Sequence, residues 1–182
     1  MSYCNFCKSL PEDNVHRIYH DQFYGHPIED DQALFERLVL EINQAGLSWD
    51  TILKKQEGFK EAYDAFDIEV VAGYGESDFE RLLQDARIIR NRLKINAAIY
   101  NAQRILELQK EFGSFKNWIC EHYPLEKQEW VKLFKKNFKF VGGEIVNEFL
   151  QSSGYLPTPH DADCPVHEEI ENLKNRFDYG TS

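Results

Sequence analysis

The sequence predicts an all-α fold, and three observations lead to that class. Apolar residues recur with helical spacing from about residue 30 onward, whereas the alternation typical of half-buried strands is nearly absent. No repeat, low-complexity tract or flexible linker divides the chain. At 182 residues it has the size of one domain that buries most of its unfolded surface. We therefore expect a single helical domain over residues 1–182.

The first clear helix of the sequence has recognisable ends. Asp30 or Asp31 provides an N-cap, and Gly46 fits the C-terminal stop. Between them, apolar residues at positions 34, 35, 38, 42 and 45 follow helical spacing. The same reasoning predicts further helices at about residues 50–65, 67–73, 76–85, 91–112, 114–122, 127–137, 143–153 and 165–176.

Composition limits the classes of function. A net charge of -10 argues against indiscriminate polyanion binding, because neutralising phosphates requires a local excess of Lys and Arg. Two segments contain such an excess, ARIIRNRLK at 86–94 and KLFKKNFK at 132–139. Each is either a phosphate-binding patch or a solvated helix face.

The N-terminal segment MSYCNFCK has no signal pattern, and no apolar run approaches the ~20 residues of a membrane span. We expect a cytoplasmic protein with no membrane association. In a reducing compartment its four cysteines are expected to bind metal or pack in the core.

Metal-ligand candidates lie near both ends of the chain. They form two Cys/His pairs: Cys4 with His20, and His160 with Cys164. Pairs from two segments can complete a tetrahedral zinc site that joins the termini, and Cys7 and His167 are possible substitutes. An isolated histidine is more often a surface or capping residue, so the spacing leaves both interpretations open.

Glu41 lies inside the apolar run LVLEINQAGLSW, at 38–49. Leu34, Leu38 and Ala45 fall within about 60° of it around the helix axis, so the carboxylate shares the apolar stripe. A buried carboxylate is costly unless it is hydrogen-bonded or paired, and its pKa tends to rise. The pattern leaves open a structural cap or ion pair as well as a functional role.

Four aromatic residues are candidates for a stacking pocket: Phe6, Tyr19, Tyr24 and Trp49. Flat apolar rings hold a flipped base by its π-faces, although ordinary core packing explains any one of them equally well.

A short turn in NFKFVGGEIVNEFL, at 137–150, joins two predicted helices and ends in Val141, Gly142 and Gly143. Free N–H groups at the start of the second helix favour an anion. The turn resembles the hairpin of helix-hairpin-helix DNA-binding proteins, which grip a backbone phosphate, although glycine also ends helices for steric reasons.

Several motifs occur together at consistent separations. They are Cys4; YHD at 19–21 with Gly25 and Pro27; Glu41 with QAGLSW at 44–49; QD at 84–85 with IIRN at 88–91; FKFVG at 138–142; and His160 with Cys164. In this order they resemble the DNA-3-methyladenine glycosylase I family. The resemblance covers residues 4 to about 164, and the joint spacing makes it specific.

The resemblance implies a helix-hairpin-helix DNA glycosylase fold in which a structural Zn²⁺ joins the N- and C-terminal segments. Residue by residue, the zinc ligands would be Cys4, His20, His160 and Cys164, with Cys7 as a bystander. The implied reaction is release of 3-methyladenine from damaged double-stranded DNA, and a monomer is expected.

The resemblance also assigns roles in the site. Glu41 would be the catalytic residue that reads the base, with Tyr19 and Trp49 stacking around it. Gly46 and Leu47 would probe the gap left in DNA, and the hairpin residues Val141, Gly142 and Gly143 would bind the backbone. The family lacks the catalytic aspartate of other superfamily members, so Asp161 and Asp163 are interpreted as structural.

Departures from the family pattern include Phe6, Tyr24, His16, Arg87 and the pair Gly143-Glu144. Phe6 and Tyr24 keep a ring in the pocket. His16 would also sit there and, when protonated, would repel a cationic lesion, while Glu144 would oppose a phosphate unless it points away. Two alternatives follow: a zinc-clasped DNA-binding protein of the same fold with altered or no glycosylase activity, and a helical interaction protein.

Overall fold

The computed structural model describes residues 2–180, which form helices and turns with no β-strand. The all-α prediction is confirmed. The helices are α1 Tyr3–Lys8, α2 Val15–Gln22, α3 Asp31–Gln44, α4 Trp49–Ala62, α5 Ile68–Ala72, α6 Glu76–Gln84, α7 Arg92–Phe112, α8 Phe115–Glu121, α9 Lys127–Asn137, α10 Gly143–Ser152 and α11 Pro165–Arg176.

Helix α3 lies at the centre of the fold, packed against α4, α7, α8 and α10. It begins as predicted, because the Asp30 side chain accepts a hydrogen bond from the Ala33 N–H at 2.8 Å. Apolar residues on several sides of α3 are buried, including Leu34, Phe35 and Val39. This central position explains why Glu41, on the same helix, is buried as well.

The predicted helix at 50–65 is shorter in the structure, where α4 ends at Ala62 and a 3-10 turn occupies Asp64–Phe66. Asp64, Ala65 and Phe66 have positive φ, a backbone region unfavourable for residues with a side chain. The turn brings the fully buried Phe66 ring to 5.8 Å from the Tyr63 ring, measured between centroids. Core burial therefore offsets the local backbone cost.

The pattern also missed α1 and α2, which precede residue 30. Side chains cap both helices: Ser2 accepts from the Asn5 N–H, and Asn14 accepts from the His16 N–H. Each helix is too short to be stable alone. The two helices pack against each other and α2 packs against α4, while Cys4 of the N-terminal segment clusters with Cys164, Val166 and Ile170 of the C-terminal one.

Two glycines allow these terminal segments to approach. A Cβ on Gly25, whose φ is +84°, would lie 2.8 Å from Pro159 Cδ. A Cβ on Gly154, whose φ is +88°, would lie 2.6 Å from Pro27 Cα. Both positions therefore require glycine, for backbone conformation and for space.

The hairpin connects α9 to α10 through residues 138–142. The side-chain amide of Asn101, on α7, donates to the Lys139 carbonyl at 3.1 Å and its oxygen accepts from the Lys139 N–H at 2.8 Å. Phe138 and Val141 are buried, whereas Phe140, at φ +59°, is exposed. The long helix α7 thus fixes the hairpin against the core. Among residues 2–180, no helix combines the length and the apolar character needed to cross a membrane.

Candidate active site

A cavity of about 450 Å³ opens beside the C-terminal half of α3. Its lining combines aromatic rings with carboxylates and one amide: Tyr3, Tyr19, Tyr24, Glu41, Gln44, Trp49, Glu144 and Glu148. Four of the predicted site residues, Tyr19, Tyr24, Glu41 and Trp49, therefore lie around one space. Its size and mixed lining are typical of sites for small ligands.

Glu41 forms the buried acidic wall of the cavity and is 4% exposed. Ser152 Oγ donates a long hydrogen bond of 3.4 Å to its Oε1. Burial raises the pKa of Glu41 to about 7, the nearby Arg37 charge lowers it and the charge of Glu148 raises it further. No cation within the described residues lies at ion-pair distance from Glu41. The ion pair that the sequence left open is not formed.

The aromatic wall is assembled from three elements. The Tyr19 ring, on α2, lies 5.1 Å from the Trp49 ring at the start of α4 and 5.4 Å from the Tyr24 ring. Arg37 fixes Tyr19 from behind, because its Nη1 donates to the Tyr19 hydroxyl and to the Ser152 carbonyl, each at 3.1 Å. Tyr19 is 6% exposed, so the ring is held in place before any ligand enters.

Phe6 and His16 were expected in the base pocket, but neither lines the cavity. Tyr3 takes that position, because α1 directs its ring inward, 5.5 Å from Tyr24. The Tyr3 hydroxyl lies 3.0 Å from His16 Nδ1, and His16 Nε2 lies 3.3 Å from Asp50 Oδ1. Phe6 packs edge-on to His16 behind Tyr3 and is 38% exposed. Both residues therefore support the wall and do not form it.

Four lining residues were not predicted as pocket residues: Tyr3, Gln44, Glu144 and Glu148. Glu144 lies beside the hairpin, as the sequence indicates, and its side chain lines the cavity. Glu148 lies one helical turn further along α10. The i,i+4 spacing of these two glutamates is visible in the sequence and was the available signal.

The loop after α3 carries Gly46 and Leu47. Gly46 has φ +80°, and Leu47 is 39% exposed. The Gln44 side-chain amide donates to the Leu47 carbonyl at 3.0 Å, while the Leu47 N–H donates to the Gln44 carbonyl at 2.8 Å. An apolar side chain is thereby presented to solvent on a constrained turn.

At the hairpin, the three predicted residues differ in what they expose. The Val141 side chain is buried, so only its backbone is available to a ligand. Gly142 caps α10 with no side-chain hydrogen bond, and a Cβ there would meet nothing within 4 Å. Gly143 begins α10. Together they leave the N–H groups of a helix start open to an anion.

Cys4, His20, His160 and Cys164 converge as predicted, with one ligand atom from each lying within 4.8 Å of all the others. His160 Nδ1 lies 3.6 Å from Cys4 Sγ and 3.2 Å from His20 Nε2. His160 Nε2 lies 2.7 Å from the Tyr24 carbonyl oxygen, and His20 Nδ1 lies 2.6 Å from Asp21 Oδ1. These outer partners leave the opposite ring nitrogens free to face the cluster.

The possible substitutes lie outside this cluster. Cys7 Sγ donates to the His16 carbonyl at 3.6 Å, and His167 Nδ1 lies 3.0 Å from the His160 carbonyl oxygen. The two aspartates near the cluster have partners elsewhere: Asp161 accepts from the Ser2 hydroxyl, and Asp163 lies 3.8 Å from Lys8 Nζ. Neither aspartate lines the cavity.

The sequence of this chain matches a known protein family. Residues 9–132 match the family model described as methyladenine glycosylase. The chain is 37% identical to DNA-3-methyladenine glycosylase 1 of Escherichia coli (strain K12), covering 87% of this chain and 94% of that protein. It is 35% identical to DNA-3-methyladenine glycosylase of Haemophilus influenzae, covering 87% and 96%.

The fold is also similar to solved structures of 3-methyladenine DNA glycosylase I. A 3-methyladenine DNA glycosylase I in complex with 3-methyladenine has a TM-score of 0.80 at 33% identity, covering 92% of this chain and 98% of that one. The Staphylococcus aureus enzyme, studied for its recognition of 3-methyladenine, also has a TM-score of 0.80, at 32% identity and with coverages of 91% and 98%. By sequence and by fold, the chain belongs to the methyladenine glycosylase family.

Proposed function

We propose that this protein is a DNA repair glycosylase that hydrolyses the N-glycosidic bond of 3-methyladenine in alkylated DNA, releasing the base and leaving an abasic site. The observation that carries the proposal is the buried, unpaired Glu41 at the wall of an aromatic cavity. Relatives that share most of the chain are named for this activity. A carboxyl group that has no cation partner and lies beside aromatic rings suits a base that has an amine edge and a positive charge.

The reaction follows from the chemistry of the lesion. Alkylation at N3 gives the nucleoside a positive charge, which already weakens the bond between C1′ and the base. When the bond breaks, its electron pair leaves with the base and water adds to C1′, releasing a proton. Little acid–base assistance is needed. The protein's contribution is to accept the flipped base against the Tyr19 and Trp49 rings and to bind its amine edge through Glu41.

Glu41 would respond to the charge of its ligand. Its pKa is raised to about 7 by burial, so near neutral pH the carboxyl exists in both forms. An entering cation favours the carboxylate, because an opposite charge at short range lowers the pKa. The ionised form then accepts hydrogen bonds from the exocyclic amine and ring edge of 3-methyladenine.

DNA would be bound at two neighbouring features. The α10 start at Gly142 and Gly143 offers backbone N–H groups to a phosphate, with the Val141 backbone beside them. Leu47, exposed on the Gly46 turn, would fill the space from which the base was flipped. This helix-hairpin-helix arrangement concentrates DNA contact on a small part of a protein whose net charge is -10.

The Cys/His cluster would hold Zn²⁺. Two thiols and two imidazoles match the tetrahedral donor set of structural zinc, and the hydrogen bonds behind His20 and His160 aim one nitrogen of each ring at the centre. The metal would supply a cross-link between α1, α2 and the segment before α11. We further propose a cytoplasmic monomer in which residues 1–182 form one domain.

A base-release assay tests the function. The purified protein is incubated with DNA treated with a methylating agent, and released purines are separated by chromatography. The proposal predicts free 3-methyladenine in proportion to enzyme. Binding to duplex or abasic DNA without release of any base would instead support the zinc-clasped DNA-binding alternative.

A further inference from the structure

The cavity carries more negative charge than one base-reading glutamate provides. Glu41, Glu144 and Glu148 all line it, and no Lys or Arg among the described residues does so. The nearest cations act from outside the lining: Arg37 behind Tyr19 influences Glu41, and Lys127 influences Glu148. A ligand in this cavity therefore meets three carboxyl groups and no lining cation.

Glu148 is the least expected of these three glutamates. It lies on α10, is partly buried, and follows Glu144 by one turn. Like charges at i,i+4 destabilise a helix, and partial burial adds to the cost. Burial and the charge of Glu144 together raise the pKa of Glu148, while Glu148 in turn raises the pKa of Glu41. Glu148 therefore repels both Glu41 and Glu144, and a cation entering the cavity would relieve that repulsion.

We infer that Glu148, assisted by Glu144, is a specificity-determining residue that favours cationic N-alkylated purines over neutral purines of the same shape. Glu41 is placed to read the edge of the base, whereas Glu148 lines the cavity from a different helix, α10, and senses charge. The inference rests on the proposed function and extends it to selection between lesions. It also gives a role to Glu144, whose negative charge would otherwise be unfavourable beside a hairpin that binds phosphate.

The expected size follows from the distance dependence of charge interactions. One unit charge acting over ~12 Å at an effective dielectric constant of ~20 changes an equilibrium by about tenfold. Loss of the Glu148 charge should therefore reduce the preference for a cationic lesion by roughly this factor. Loss of the Glu144 charge should reduce it by less, because Glu144 is more exposed.

The experiment compares two duplexes that differ in charge. One contains 3-methyladenine, which is cationic in DNA, and its single-turnover release is measured at subsaturating protein. The other contains 3-deaza-3-methyladenine, an uncharged isostere with a stable glycosidic bond, and its dissociation constant is measured. The variants are Glu148→Gln, Glu148→Asp and Glu144→Gln. Glu111→Gln is the matched control, since Glu111 is exposed on α7.

For Glu148→Gln we expect about tenfold slower release of 3-methyladenine, with affinity for the neutral isostere within twofold of the wild type. Glu148→Asp should restore most of the rate, and Glu111→Gln should change neither quantity. Equal losses on both duplexes, or no change on either, would overturn the inference. If the wild type itself releases no base, the proposed function fails, and this outcome is distinct because it precedes any comparison of variants.

Discussion

The ammonium Nζ of Lys94 lies 2.7 Å from the carbonyl oxygen of Ala45 and 2.8 Å from that of Asn43. This α7 side chain therefore closes the C-terminal end of α3, where unpaired carbonyls favour a cation. It also lies 6.0 Å from the centre of the Phe140 ring on the hairpin. One buried lysine thus links the Gly46 turn to the hairpin.

Replacing Lys94 with methionine should loosen both features. The two carbonyls lose their donor, which costs about 1–3 kcal/mol for each group that stays buried without a partner. We expect a lower unfolding temperature and weaker binding to duplex DNA, measured by calorimetry and fluorescence anisotropy. Lys110→Met, at an exposed site on the same helix, is the control. Equal DNA affinity in the two variants would exclude a positioning role for Lys94.

Glu41 should destabilise the free protein above neutral pH. Its pKa in the fold is about 7 against an ordinary value of 4.5, so between these values the native state holds a proton that the unfolded chain has released. Stability therefore falls as pH rises from about 4.5 to 7, by roughly 3 kcal/mol in total. Glu41→Gln removes this term, so its unfolding temperature should exceed that of the wild type clearly at pH 8 and only slightly at pH 5. A variant less stable than the wild type at pH 8 would contradict this reasoning.

Gly142 permits a test of DNA contact that spares the fold. Aspartate is a good N-cap, and at Gly142 its Cβ would meet no atom within 4 Å. Gly142→Asp should leave the free energy of unfolding unchanged or raise it by a few tenths of a kcal/mol. Its carboxylate would repel a phosphate, so duplex affinity should fall by about tenfold or more. Gly75→Asp is matched, because Gly75 caps α6 with the same free space. Equal affinities for the two variants would remove the hairpin from the DNA interface.

The Cys/His cluster should influence the cavity as well as stability. Tyr3 precedes the cluster residue Cys4, and the Tyr24 carbonyl lies 2.7 Å from His160 Nε2, while both rings line the cavity. Cys4→Ser should remove the metal, lower the unfolding temperature and weaken binding of free 3-methyladenine, followed by tryptophan fluorescence.

Cys7→Ala provides the comparison for the metal prediction, because Cys7 is buried nearby but outside the cluster. It should retain about one zinc per chain, measured by elemental analysis, and bind the base normally. Loss of zinc in Cys7→Ala, or its retention in Cys4→Ser, would require a different ligand set.

Much of the fold is predictable from local pattern. Helices α9 and α11 begin and end where periodicity and capping placed them, and α3 starts at its Asp30 cap. The turn at Asp64–Phe66 was not predictable, because its backbone is unfavourable locally and is held by burial of Phe66 in a distant core. Helices α1 and α2 were not predicted for a similar reason, because packing against residues distant in the sequence stabilises them.

The candidate site, like the fold, was predictable from the sequence only in part. Helical geometry alone predicts that Glu41 points inward, and the separation of Cys and His along the chain suggested the cluster. Which ring of α1 faces the cavity depends on how that helix docks, so Tyr3 was missed and Phe6 was misplaced. His16 was misplaced because its partners, Tyr3 and Asp50, come from two other helices.

The most direct test of the central claim is single-turnover release of 3-methyladenine from one duplex by the wild type, Glu41→Gln and Glu111→Gln. We expect the wild type and Glu111→Gln to release the base at similar rates. Release by Glu41→Gln should be slower by about 100-fold or more, the loss typical of removing one charge-stabilising group from an active site, while this variant remains folded. Release by Glu41→Gln at the wild-type rate, or no release by the wild type, would contradict the claim that this buried carboxylate carries base excision.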